Sequence, residues 1–174
     1  GAARQRGGHS DGGAGSRMIS RRLEVPEMSL SLKIIRYCAE EVNRQRDEPV
    51  AVWWLCHAWA EAMRLRARES TLTSATVESL GRLVSPGVNS TGFRQGGVRG
   101  LVCPPPSAIR PAIDALLSAD SLATQPSAEA YREFELIHPF NDGNGRIGKI
   151  VYNWLKNTLA EPVMPPNFFN CANP

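Results

Sequence analysis

Residues 127–159 read SAEAYREFELIHPFNDGNGRIGKIVYNWLKNTL, two helical patterns joined at His138-Pro139-Phe140-Asn141-Asp142-Gly143-Asn144-Gly145-Arg146. Before the join, Tyr131, Phe134, Ile137 and His138 recur at helical spacing behind Ser127, a residue type that caps helix starts. After it, Ile147, Ile150, Val151, Trp154, Leu155 and Leu159 form one apolar stripe that fades before Pro162. A loop held at each end by an element with a core face is a rigid place for chemistry.

The rest of the chain supplies partners for that pair of helices. Leu30, Leu32, Ile34, Ile35, Cys38 and Val42 mark a helix from Ser29 to about Arg46, and Pro49 opens a second that carries Trp53, Leu55, Trp59 and Met63. Val77, Leu80, Leu83 and Val84 give a third, ended by Pro86-Gly87, and Ile113, Leu116 and Leu117 a fourth that opens near Pro111. Between these, Phe93-Arg94 and Val98 to Val102 flank Gln95-Gly96-Gly97 and read as a small β-hairpin. Six helices and one hairpin make an all-α domain. Met164 to Pro174 shows no period and reads as an irregular tail packed by Phe168 and Phe169.

At 174 residues the chain holds material for one core, assigned to residues 23–174. Residues 1–22 read as a disordered, basic, Gly-rich tail or a foreign remnant, since Arg4, Arg6, Arg17, Arg21 and Arg22 face only Asp11. The net charge of +3 is therefore a property of the tail, and the body carries about −1. No nucleic-acid partner is expected. Cys38, Cys56, Cys103 and Cys171 form no CxxC pair, which argues against a zinc site. No run reaches the length of a bilayer span, so no membrane partner is expected either.

Within the loop, each residue carries a plain reading beside a chemical one. His138 closes a helix, where an imidazole either caps the dipole or serves as a general base. Gly143, Asn144 and Gly145 open the next helix with small residues, leaving backbone N–H groups at its positive end as a cradle for phosphate. Arg146 and Lys149 share one face of that helix and either flank such an anion or lie in solvent. Asp142 either makes a turn ahead of Gly143 or holds Mg²⁺ against phosphate oxygens. Phe140 reads as a hydrophobic plug and Pro139 as a helix stop.

The segment resembles the Fic family motif HPFx[D/E]GN[G/K]RxxR and matches it from His138 to Arg146. Weaker similarity, in Gly92-Phe93-Arg94, Val98 and Pro104 to Pro106, looks like the family's flap and extends the resemblance over about residues 50–166. The resemblance implies a Fic-like helical domain acting as a protein adenylyltransferase that moves AMP from ATP to a Ser, Thr or Tyr hydroxyl. His138 would be the base, Asp142 the Mg²⁺ ligand, and Gly143, Asn144, Gly145 and Arg146 the nucleotide-phosphate site. Gly97, Val98, Arg99, Gly100 and Leu101 would be the flap on which the protein substrate docks by strand addition.

Lys149 stands where the family has a second arginine, keeping the charge but losing the planar fork. The nearest match to the family's inhibitory [S/T]xxxE[G/N] motif is Ser74 to Glu78, followed by Ser79, so Glu78 is not expected to inhibit. The resemblance then implies a separate inhibitory, antitoxin-like protein, or an enzyme released into another cell instead of remaining cytoplasmic. Transfer of another nucleotide or of a phosphoryl group, and a non-catalytic nucleotide-binding module, stand as alternatives.

Overall fold

Ser31 and Thr73 set two helix starts by accepting hydrogen bonds from the amides three residues on, Ile34 at 3.4 Å and Thr76 at 3.2 Å. The computed structural model describes residues 30–168. Its helices are α1 (Leu32–Gln45), α2 (Val50–Ala67), α3 (Ser74–Val84), α4 (Pro106–Leu116), α5 (Ala119–Thr124), α6 (Ser127–Ile137) and α7 (Asn144–Leu155). No helix among the described residues is long and apolar enough to cross a membrane.

α7 is the axis. It packs on α2, α3 and α6, while α1 lies on α2 and α4 on α6. Ile147, Ile150, Val151 and Trp154 meet Trp59, Leu80, Val84 and Phe134 in one continuous core. Every residue from Arg146 to Trp154 is buried, so the polar face of this helix is covered as well as the apolar one. Asn153 shows how the cover is held. Its amide donates to the Val163 carbonyl at 3.0 Å, and its oxygen accepts from the Val163 amide at 2.8 Å and the Thr158 hydroxyl at 2.7 Å. The chain beyond α7 is thereby folded back over it.

Three expectations need correction. The hairpin over residues 93–102 does not form, and no strand occurs among the described residues. An isolated two-stranded ribbon is marginal without an apolar face to bury, and Val102 here is 98% exposed. The Arg94 side chain instead binds the Gly96 and Pro104 carbonyls, and the segment closes through a turn from the Leu101 amide to the Val98 carbonyl at 3.3 Å. α4 opens at Pro106, five residues before the expected start, because a proline is favoured in a first turn; Pro111 then lies inside the helix on its exposed side. Ser127 is the first helical residue of α6 and not its cap, a position taken by Pro126. α5 is additional to the expected elements, a six-residue helix with no buried residue and hence no periodicity to read. The tail expected over residues 1–22 and the packing of Phe169 lie outside the described residues.

Candidate active site

The loop between α6 and α7 is braced from three sides. Phe140 is fully buried against Phe93, with ring centroids 5.3 Å apart, and acts as the plug its sequence position suggested. Asn144 brackets the Phe140 backbone, accepting from its amide at 2.9 Å and donating to its carbonyl at 2.8 Å. Asn89, itself fully buried, donates to the Asp142 carbonyl at 2.8 Å and the Gly81 carbonyl at 3.1 Å, tying the loop to α3. Arg94 holds the near end, its amide on the Pro139 carbonyl at 2.9 Å and its Nε on the His138 carbonyl at 2.7 Å.

His138 ends α6 in the left-handed region at φ 49°, with its amide on the Phe134 carbonyl at 3.1 Å. Its ring is half-buried and hydrogen-bonded to the Glu135 carbonyl. Burial, together with the Arg94 guanidinium, disfavours the imidazolium and outweighs that bond, so the pKa lies below the ordinary histidine value. The ring is neutral at neutral pH.

At the far end, Gly143 caps α7 at φ 75°, where a Cβ would meet Val84 Cγ1 at 2.8 Å. Only glycine suits this position. Gly143 offers no side chain to the first turn, so the amides there remain directed at the space ahead of the helix. Because the Asn144 amide group is committed to Phe140, what residues 143–145 present to a ligand is backbone. Asp142 is buried enough to oppose its charge, but hydrogen bonds from Ser85 and the Arg146 guanidinium prevail and hold its carboxyl below the usual range. It is ionised, with a side chain 42% exposed and one oxygen on Arg146 Nη2 at 2.9 Å.

Both cations expected at the phosphate site already have anionic partners. Arg146 is 3% exposed; besides Asp142 it reaches the Val84 carbonyl at 3.4 Å, and its Nε faces Asp47 Oδ2 at 3.3 Å out of line for a hydrogen bond. Lys149 Nζ lies 2.7 Å from Glu41 Oε1. Glu41 projects from α1, is 1% exposed, and also binds Arg44 at 2.7 Å and Gln45. The C-terminal end of α1 thus stands over the start of α7: a Cβ on Gly145 would lie 2.9 Å from Gln45 Nε2 and 3.9 Å from Lys149 Nζ. Beside it, Arg44, Tyr131, Lys149 and the segment 164–168 line a cleft of about 370 Å³. A second cleft, of about 220 Å³, opens on the other side and is lined by Asp47, Glu48, Trp54, Asp142 and Arg146.

Glu135, partly buried, adds a further carboxyl beside this charge set. Its carboxyl lies against Gly148 on α7, takes a hydrogen bond from Tyr131, and leaves Oε1 without a hydrogen-bond partner. Burial raises its pKa from 4.5 to about 7, with Glu41 adding to the rise and Lys149 opposing it. Because the folded-state value is raised, the folded chain binds the extra proton between these pH values and stability falls as pH climbs from about 4.5 to about 7. Glu135→Gln, which mimics the protonated acid, removes this dependence. Urea denaturation is expected to show the variant equal to wild type near pH 4.5 and more stable by about 3 kcal/mol above pH 7.

Sequence reasoning missed Arg94 as a brace, Asn89 and Glu41. Phe93-Arg94 was visible as a hairpin flank, whereas neither a loop asparagine nor one of several glutamates on α1 carries a local signal. Glu78 is engaged elsewhere, by Arg82 at 2.8 Å and by Arg110.

The loop thus carries a half-buried imidazole at one end and a helix N-terminus at the other. The model of the Fic/DOC family matches residues 65–155, and the chain belongs to that family. Among solved structures, a crystal structure of IbpAFic2 is similar at a TM-score of 0.57 and 18% identity, over 79% of this chain. The match covers 49% of that structure's chain, so the present chain spans about half its length. No curated protein sequence matches the chain.

Proposed function

We propose that the chain is a protein adenylyltransferase that moves AMP from ATP to a serine, threonine or tyrosine hydroxyl. The observation that carries this reading is the loop's polarity: a ring kept neutral at one end, and uncapped first-turn amides of α7 at the other. His138 takes the hydroxyl proton as the oxygen attacks the α-phosphorus; a bond forms between them, the bond to the bridging oxygen breaks, and pyrophosphate leaves. The amides of residues 143–145 stabilise charge on the phosphate oxygens. Arg146 and Lys149 reach the phosphates by exchanging Asp142 and Glu41 for them. Family membership supports a transferase in general terms.

Asp142 fits a magnesium site, being one ionised, half-exposed carboxylate beside the cradle, with phosphate and water oxygens left to complete the shell. When bound, the ion supplies charge neutralisation on the phosphates. The exposed segment Gly97 to Leu101, tied to the His138 backbone through Arg94, docks the target. A separate inhibitory protein remains one route by which the activity is restrained, and the Glu41–Lys149 pair is an internal one.

Incubation with ATP labelled at the α or the γ phosphorus separates this reading from its rival. Label entering protein from the α position alone supports AMP transfer. Label entering from the γ position alone would replace it with phosphoryl transfer.

A further inference from the structure

Arg94 is 1% exposed and forms no ion pair among the described residues. Its side chain donates to four backbone carbonyls and one cysteine sulfur. Nε donates to the His138 carbonyl at 2.7 Å, Nη1 to the Gly96 carbonyl at 2.7 Å, and Nη2 to the Pro104 carbonyl at 2.6 Å, Cys103 Sγ at 3.1 Å and the Ile137 carbonyl at 3.4 Å. Its own amide adds the Pro139 carbonyl at 2.9 Å. Burying a charge without a counter-charge is costly, and an amide side chain can clip two carbonyls without that cost. A loop clip alone does not explain why the charge is there.

Two facts do. Two of the guanidinium's acceptors, the Ile137 and His138 carbonyls, belong to the turn that presents the imidazole, the Arg94 amide holds the next carbonyl, that of Pro139, and His138 there has a left-handed conformation that residues other than glycine seldom adopt. The guanidinium also donates to the carbonyl of His138 itself at 2.7 Å, which sets its charge beside the residue that carries the ring. We propose that Arg94 is a positioning residue for the transfer reaction: it clamps Ile137 to Pro139 so that the imidazole stays aimed, and sets a fixed positive charge beside a residue whose ring must be neutral to accept a proton. Through the Gly96 and Pro104 carbonyls the same guanidinium joins both ends of the docking segment to the base.

This inference rests on the reading of His138 as the base. The other influences on the ring are burial and the Glu135 carbonyl on α6. On α7, Arg146 and Lys149 are engaged by Asp142 and Glu41, and the Glu135 carboxyl faces Lys149. Arg94 is thus the charge that bears on the imidazole from the loop side.

The test compares Arg94→Lys, which keeps the charge and loses the fork, with Arg94→Gln, which keeps two donors and loses the charge. The His138 ring is followed by NMR titration, assigned by its loss in His138→Asn. Arg94→Gln is expected to move the His138 midpoint, and the acid limb of the transfer rate, to higher pH, while Arg94→Lys leaves both near wild type. Both variants are expected to lose on the order of 10²-fold in kcat, with KM for ATP changing less than about twofold, because a misplaced base affects the chemical step. Coincident midpoints in all three folded proteins would overturn the proposal and leave Arg94 a clip. If a variant does not fold, the wild-type Arg94 Nε–H resonance decides: it should be protected from exchange and shift with the His138 midpoint, and an exposed or indifferent resonance overturns the proposal. The titration needs no turnover, so a chain without transfer activity would defeat the functional reading while still reporting on Arg94.

Discussion

Replacing His138 with asparagine is expected to lower AMP transfer by about 10² to 10⁴-fold while leaving the fold intact. Asparagine is the informative choice because it tolerates the left-handed conformation that His138 adopts at φ 49°, whereas alanine adds a backbone penalty to the chemical one. ATP binding, measured by calorimetry, should change little, since the phosphates are held by the start of α7 and not by the ring. The pH profile carries the same claim in another form. Burial and Arg94 lower the His138 pKa, so the neutral, active form persists to lower pH than for an ordinary histidine. The rate should therefore rise with pH through a midpoint below 6.5 and be flat above it, as far as this group controls it. In His138→Asn the limb disappears together with the rate.

Glu41→Gln is expected to act on stability and ligand binding in opposite directions. The substitution leaves Lys149, which is 8% exposed, without its 2.7 Å counter-ion, and removing one partner of a buried pair costs about 3 kcal/mol. Glu135 softens the loss, because its carboxyl feels both Glu41 and Lys149 and ionises more readily once the neighbouring charge is gone. ATP then meets a lysine that no longer has to leave Glu41, and its affinity should rise on the order of tenfold, the worth of one charge-assisted hydrogen bond. In a thermal-shift experiment the ligand-free variant melts below wild type, yet ATP raises its melting temperature by more. An equal ATP-induced shift in both proteins would show that Glu41 and the phosphates do not share Lys149.

What the sequence revealed and what it hid divide along the range of the interactions. The α6–loop–α7 unit was legible because its signals are local: two apolar stripes, small residues at a helix start, and an aromatic plug between them. The covering of α7 was not. Arg146, Lys149 and Asn153 share a polar face by spacing, and spacing alone does not distinguish a solvated face from one buried under α1 and the folded-back segment at Val163. Glu41 meets Lys149, Asn89 meets Asp142 and Arg94 meets His138 across tens of residues of chain, so no window centred on either partner contains the pair. The hairpin failed for a related reason. Glycines between two short flanks favoured a ribbon, but the segment has no apolar face to bury and is held instead by Arg94 on the Gly96 and Pro104 carbonyls. α5 escaped because an element that buries nothing leaves no pattern.

The most direct test of the account is a crystal structure of the chain with Mg²⁺ and a non-hydrolysable ATP analogue. The phosphates are expected on the amides of residues 143–145, with Glu41 displaced from Lys149 and the His138 ring placed so that a hydroxyl hydrogen-bonded to it lies about 3 to 3.5 Å from the α-phosphorus. An analogue bound away from the start of α7, or with its α-phosphorus turned away from His138, would contradict this reading.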